Sequence, residues 1–308
     1  MLGGYSPVEL GSIFAMQTFA GLILFSVFVL MALGLAIIFG QMGVINMAHG
    51  EFMILGAYMT YLTSTVFQQY IPALYSIYFF VAMIIAFIAS GAVGLAVEWV
   101  MIRRLYARPL DTLLATWGLS LIMQQAFRSI FGAREVGVEL PPWMLGSLSV
   151  TDTIQVQING LFIMGLTLAI TAVIALLMFR SRWGLQVRAV VANRTMSGAV
   201  GIDTRRIDRL TFGLGCGIAG VAGSAFTMIG STSPTAGQLY IVDTFLVVVF
   251  GGAQSLLGTI ASSFMISQSQ STLEFFLSGS TAKVLTLLIV IGILMLRPQG
   301  LFVLKVRR

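Results

Sequence analysis

The chain has 308 residues, of which 58% are hydrophobic and only 9% charged, with a formal net charge of +6. Soluble domains carry about 25% charged residues, so this chain has too few to wet a globular surface, and the soluble two-domain protein that its length would allow is excluded. The composition is that of an all-α polytopic integral membrane protein, one transmembrane domain over 1–308.

The isoelectric point near 9.8 invites a nucleic-acid reading. The charge, however, sits in a few arginine clusters between apolar runs, where the positive-inside bias places cytoplasmic loops, and no nucleic-acid partner is expected. The lone Cys216 excludes an intramolecular disulfide framework and cysteine-based zinc or iron–sulfur cages. No Lys or Arg precedes Arg103, so a cleavable signal peptide is not expected.

About 20 apolar residues are needed to cross the hydrocarbon. That criterion predicts nine spans, in order Ile13–Ile38, Ile45–Phe67, Tyr75–Ile102, Thr112–Ile130, Leu161–Phe179, Leu210–Met228, Tyr240–Phe250, Leu256–Phe276 and Ala282–Leu296. The segment Tyr240–Phe250 is short and runs into Gly251-Gly252, either a crossing extended past the glycines or a broken helix. In the first half Gly40-Gln41-Met42-Gly43 interrupts a continuous apolar stretch. Gly-interrupted segments in corresponding halves often line a transport path and point to an internal repeat.

Arg103, Arg104 and Arg108 follow the third span, a cluster from Arg180 to Arg209 follows the fifth, and Arg297, Lys305, Arg307 and Arg308 close the chain. Nine crossings put all three clusters in the cytoplasm, with the N-terminus outside and the C-terminus inside. The segment 132–159 balances Arg134 against Glu135, Glu139 and Asp152, as an outer loop does. Its alternating Leu148/Val150 and Ile154/Val156/Ile158 predict a small β-ribbon. Gly213, Gly215, Gly217, Gly220 and Gly223 predict close approach of another helix.

The most informative stretch is Asn46-Met47-Ala48-His49-Gly50-Glu51. A carboxylate at the bilayer centre costs about 2.5–3.5 kcal/mol, so it persists only where it is partnered or hydrated. Asn46 and His49 would share a helix face at i, i+3. The cluster reads either as substrate-facing or as a structural partner for backbone freed by the Gly40–Gly43 break. No ligand set accompanies His49, so neither a metal nor a cofactor is expected. Thr116, Gln124, Gln125, Asp243, Gln254, Gln268 and Gln270 also fall inside predicted spans, and amides and hydroxyls suit a small neutral polar solute. Asn46, His49, Glu51, Thr116, Gln124, Asp243 and Gln254 are the candidate path residues. Each glutamine alone reads better as an interhelical hydrogen bond, and Glu98 as a helix-end residue reaching water or Arg103.

Neither lysine, Lys283 nor Lys305, follows a glycine, so a Walker A phosphate loop is excluded. Metalloprotease and serine-protease signatures are missing too. The chain is not read as an enzyme, and ATP-driven work would come from a partner. The segment 180–209 offers a surface to lie on lipid headgroups or to fit a groove in another protein, with Gln186–Val200 read as one short helix stopped by Gly201.

Four signatures carry a resemblance: Gly43–Glu51, Arg188–Asn193 with Gly201-Ile202, Gly251-Gly252 with Gly258, and Arg297-Pro298-Gln299-Gly300-Leu301-Phe302. In this order, across nearly the whole chain, they resemble the branched-chain amino acid permease family of ATP-binding-cassette importers. Asp111–Gly118 and Arg128–Ala133 look most like its urea and short-chain amide branch. The resemblance implies a bacterial inner-membrane importer of two related or identical permease subunits, two cytoplasmic ATPases and a periplasmic solute-binding protein. It also implies that Arg188, Ala189, Asn193, Arg194, Gly201 and Ile202 belong to the helix that engages the ATPase. Urea or a short-chain amide is the cargo read first. A branched-chain amino acid is the alternative, and a passive channel is disfavoured by the arginine-rich loop.

Overall fold

The computed structural model describes residues 7–106, 108–151, 154–297 and 300–301. Asp152, Pro298, Gln299, Phe302 and the basic residues Lys305, Arg307 and Arg308 lie outside the described residues.

In lipid every backbone amide must be satisfied within its own segment, so the apolar runs become helices. In chain order these are α1 (Pro7–Met42), α2 (His49–Tyr70), α3 (Tyr78–Val97), the single turn α4 (Arg103–Leu105), α5 (Pro109–Phe131), α6 (Ile158–Arg180), α7 (Arg182–Ala192), α8 (Arg194–Ala199), α9 (Thr204–Phe226), α10 (Ala236–Gly251), α11 (Leu256–Phe276) and α12 (Gly279–Leu296). Each of the nine predicted spans falls on a helix. Among the described residues, five stretches are apolar and long enough to cross a bilayer on their own: Gly11–Met42, Pro72–Leu105, Ile158–Arg180, Thr204–Phe226 and Gly279–Leu296. Helices α2, α5 and α11 are long enough but carry the polar side chains, and α10 has 16 residues.

Helix α9 packs against α1, α2 and α3, and glycine is what permits it. A Cβ on Gly223 would lie 1.9 Å from the Met53 carbonyl oxygen, and one on Gly56 would lie 2.0 Å from that of Gly220. On the other side a Cβ on Gly215 would lie 2.7 Å from the Gly34 carbonyl. The glycine run is therefore a packing seam, with small residues bringing backbones together. Much of α3, α6 and α12 instead shows apolar side chains outward, such as Ile84, Leu168 and Leu288.

Strands β1 (Ser147–Thr151) and β2 (Ile154–Gln157) pair antiparallel with Leu148 opposite Val156, which is the predicted ribbon. Ile158 opens α6 instead of extending the strand, and Ile158 and Asn159 leave the predicted 132–159 loop for the helix. The ribbon's approach is held over the bundle: Val136 pairs with Thr232, and the Glu139 carbonyl accepts from Tyr75 and Tyr78 hydroxyls at 2.8 and 2.7 Å.

Both glycine-rich segments break a helix as expected, at Gly43 and Gly252, and the single helix read over Gln186–Val200 is corrected. Helix α1 continues through Gly40 and stops only at Gly43, whose φ of +62° is left-handed. Gly40 is instead a contact point, where a Cβ would lie 2.6 Å from the Ala253 carbonyl. Helix α10 does not extend past Gly251-Gly252: Gly252, at φ +93°, ends it and α11 starts at Leu256. The helix read over Gln186–Val200 is two, because the Asn193 Oδ1 accepts the Met196 amide at 2.9 Å and caps α8 as a new start.

Candidate functional site

Residues 43–48 turn the chain between α1 and α2 inside the bundle. Asn46, Ala48, His49, Gly50 and Glu51 are all buried, Glu51 to 1% exposure. Asn46 stands before the helix, so it does not share a helical face with His49. Its Oδ1 accepts the Ala48 amide at 3.1 Å and its carbonyl accepts that of His49 at 3.2 Å. The turn thus supplies acceptors to amides that begin α2 and have no intrahelical partner. His49 Nε2 lies 3.2 Å from the Met31 carbonyl of α1, close beside Gly34.

Glu51 reaches the opposite way. Its Oε1 accepts the Ser120 hydroxyl at 3.0 Å and the Gln124 amide at 2.8 Å. One turn below, the Thr116 hydroxyl accepts the Met47 amide at 3.1 Å. Thr116, Ser120 and Gln124 follow at i, i+4 and i+8, one face of α5 aimed at the α1–α2 turn. The other carboxylate oxygen, Oε2, has no hydrogen-bond partner and would lie 2.8 Å from a Cβ on Gly237 in the first turn of α10. A helix start favours negative charge, and only a residue without a side chain leaves that space.

The structure therefore brings Asn46, His49, Glu51, Thr116 and Gln124 together. It does not bring in Asp243 or Gln254. Asp243 on α10 forms an ion pair of 2.6 Å with Lys283 on α12, whose ammonium also lies 5.6 Å from the Tyr240 ring centroid. Gln254 lies in the exposed turn between α10 and α11, not within a span, because the glycines end α10 before it. Gln125 is exposed on the outward face of α5. Ser120 and Lys283 were missed in the sequence. The i, i+4 spacing from Thr116 signals the first, and a lone lysine within the last apolar run signals the second.

The segment after α6 folds back on itself. Arg180 belongs to α6 and Thr204–Arg209 to α9, so the 180–209 loop shortens to α7, α8 and their links. Arg188 donates to the Met178 carbonyl and lies 5.7 Å over the Phe179 ring, capping the end of α6. Val187, Val190 and Ile207 form a small core with Ile202 against it, and Ala189 is half-buried. Gly201, at φ +88°, lets the chain leave α8. Met196 and Val200 point away from all this, at 61% and 69% exposure.

Arg194 turns inward. It pairs with Asp208 of α9, which is 0% exposed, and its guanidinium lies 5.1 Å over the Tyr106 ring. Glu98 is within electrostatic reach of Asp208 and is buried in a π-helical turn, Glu98–Ile102, at the end of α3. At 1% exposure it does not reach water, and the Arg209 and Arg103 charges act on it without an ion pair among the described residues. Burial, with the Asp208 and Glu98 charges next, pushes the Tyr106 hydroxyl well above the usual phenol range, so it stays protonated.

A family model described as the branched-chain amino acid transport system / permease component matches residues 17–296. The chain is 27% identical to the high-affinity branched-chain amino acid transport system permease protein LivH of Salmonella typhimurium, over 94% of this chain and 95% of that one. It is 26% identical to the corresponding BraD protein of Pseudomonas aeruginosa, over 92% and 94%. A probable branched-chain amino acid transport permease protein LivH of Methanocaldococcus jannaschii is 25% identical over 91% and 90%. No solved structure matches. With nearly the whole chain inside one family model and helices on every predicted span, the chain belongs to the branched-chain amino acid transport permease family.

Proposed function

We propose that this chain is the membrane permease subunit of an ATP-driven importer in a bacterial inner membrane. It would work beside a second related or identical permease, two ATPases at the cytoplasmic face and a solute-binding protein outside. The single observation that carries this is the α7–α8 segment. Met196 and Val200 stand exposed outside the apolar spans, between exposed Arg188 and Arg205. Apolar side chains held in water on a structured helix pair point to a protein partner, and a passive channel has no use for one. The arginine clusters support a cytoplasmic position for this segment, with the N-terminus outside. The residues 132–157 then face the binding protein.

The cargo follows from two considerations. The relatives' names favour a branched-chain amino acid. A second reading, urea or a short-chain amide, is favoured by the hydroxyl and amide face Thr116–Ser120–Gln124 set against Asn46 and Glu51, and by the Asp111–Gly118 resemblance. On either reading these five residues with His49 flank the path, Asp243 serves it from α10, and Gln254 belongs with the cytoplasmic turn. Uptake into proteoliposomes holding the whole complex tests both. Leucine competing with labelled leucine while urea has no effect supports the first, and the reverse pattern establishes the second. Uptake that persists without ATP or the ATPases rejects the importer reading.

A further inference from the structure

We infer that Arg194 with Asp208 and Tyr106 is the tie through which the docking segment moves the transmembrane helices. This rests on the importer reading above. Arg194 is the first residue of α8, two positions before exposed Met196, so a partner gripping Met196 holds the helix that carries the guanidinium. The guanidinium leaves that surface, crosses to the buried carboxylate on the central helix α9 and stacks on the Tyr106 ring just after α4. Three elements, α8, α9 and the end of the third span, therefore meet on one side chain.

The burial makes the tie stiff. Asp208 is fully buried and Arg194 is the cation paired with it, so withdrawing Arg194 strands that carboxylate beside Glu98, on which the Arg209 and Arg103 charges act instead. An uncompensated buried charge is costlier than the absence of both partners. Asp208 Oδ1 and Glu98 Oε1 are buried without a well-formed hydrogen bond among the described residues, and the Tyr106 hydroxyl lies within reach of both carboxylates. The cluster thus has unused acceptors and a donor for a second arrangement, as a two-state element needs. The π turn that holds Glu98 is a local irregularity of a kind that recurs at functional positions. Pulling α8 by less than the length of the ion pair must then drag α9, and with it the glycine seam against α1, α2 and α3.

The test uses the assembled complex and two readouts. Arg194→Gln is expected to bind the ATPases, keep their hydrolysis and lower solute moved per ATP by about tenfold, within the usual range of coupling effects. A merely structural role would lower assembly and leave that ratio unchanged. In the purified permease, the double variant Arg194→Gln/Asp208→Asn should melt at a higher temperature than Arg194→Gln alone, because it removes the stranded charge. Tyr106→Phe, which keeps the ring but removes the donor of the second arrangement, should lower the ratio by less than Arg194→Gln does. An unchanged ratio in Arg194→Gln, or a double variant less stable than the single, overturns the tie. Failure of the wild-type permease to bind any ATPase would instead reject the importer reading.

Discussion

Two regions of this molecule hold side chains in the solvent that suits them least, and they resolve it in opposite ways. In the α1–α2 turn, polar Asn46, His49 and Glu51 lie deep in an apolar bundle, and their partners come from the same chain: Met31, Ser120, Gln124 and the start of α10. In the α7–α8 segment, apolar Met196 and Val200 lie outside the spans and find no covering within the chain. The first region is closed but for three buried atoms, Asn46 Nδ2, His49 Nδ1 and Glu51 Oε2, that have no hydrogen-bond partner among the described residues, and the second is open. A misplaced group satisfied internally sets architecture, whereas one left unsatisfied marks where something else must bind.

The comparison can be broken at several points. The largest effect is expected from Gly223→Leu, on the seam that supports the closed region. A side chain there meets the Met53 backbone, which has no freedom to shift, and the cost should exceed about 3 kcal/mol. No monodisperse permease should be recovered in detergent, and a normal yield with a normal melting curve would show that α9 does not pack as described.

Next is Glu51→Ala. It strands the buried Ser120 hydroxyl and Gln124 amide, at about 1–3 kcal/mol for each. Thermal melting should fall markedly. Glu51→Gln keeps an oxygen for both donors and should restore most of the melting temperature while uptake stays low. Full uptake in Glu51→Gln would show that the carboxylate charge serves no transport step.

The smallest effect is expected in the open region. Asn193→Ala removes the cap of α8 and should cost about 1 kcal/mol. Global melting should barely move, while amide exchange across 194–199 speeds up. Exchange that remains slow would mean that α7 and α8 are one continuous helix after all.

Much of this was legible in the sequence because bilayer thickness and backbone satisfaction leave so few choices. Apolar runs placed a helix at each predicted span, five of them in stretches long and apolar enough to cross, and the spacing of Gly213–Gly223 announced the seam. The ribbon followed from the alternation Leu148/Val150. What escaped depended on contacts between distant segments. The helical pattern of Ala189, Ala192, Met196 and Ala199 ran unbroken through Asn193, yet its side chain caps a new helix. Gly40 and Gly43 looked equivalent, but only Gly43 takes a positive φ, and Gly40 serves the approach of Ala253. For the site, Glu51 was plain from its burial in an apolar run, and Thr116 and Gln124 from their polarity. That they meet Glu51 is a tertiary fact. Glu98 lies in a π turn and is buried beside Asp208, a tertiary neighbour that no local rule anticipates.

The central claim is that the open segment lies in the cytoplasm under an ATPase. Cysteine substitution at Met196 tests it most directly, since Cys216 is buried and silent to a polar thiol reagent. The account predicts labelling only from the cytoplasmic side, and protection when the ATPase subunits are bound. Labelling from the outside, or equal labelling with and without those subunits, would contradict it.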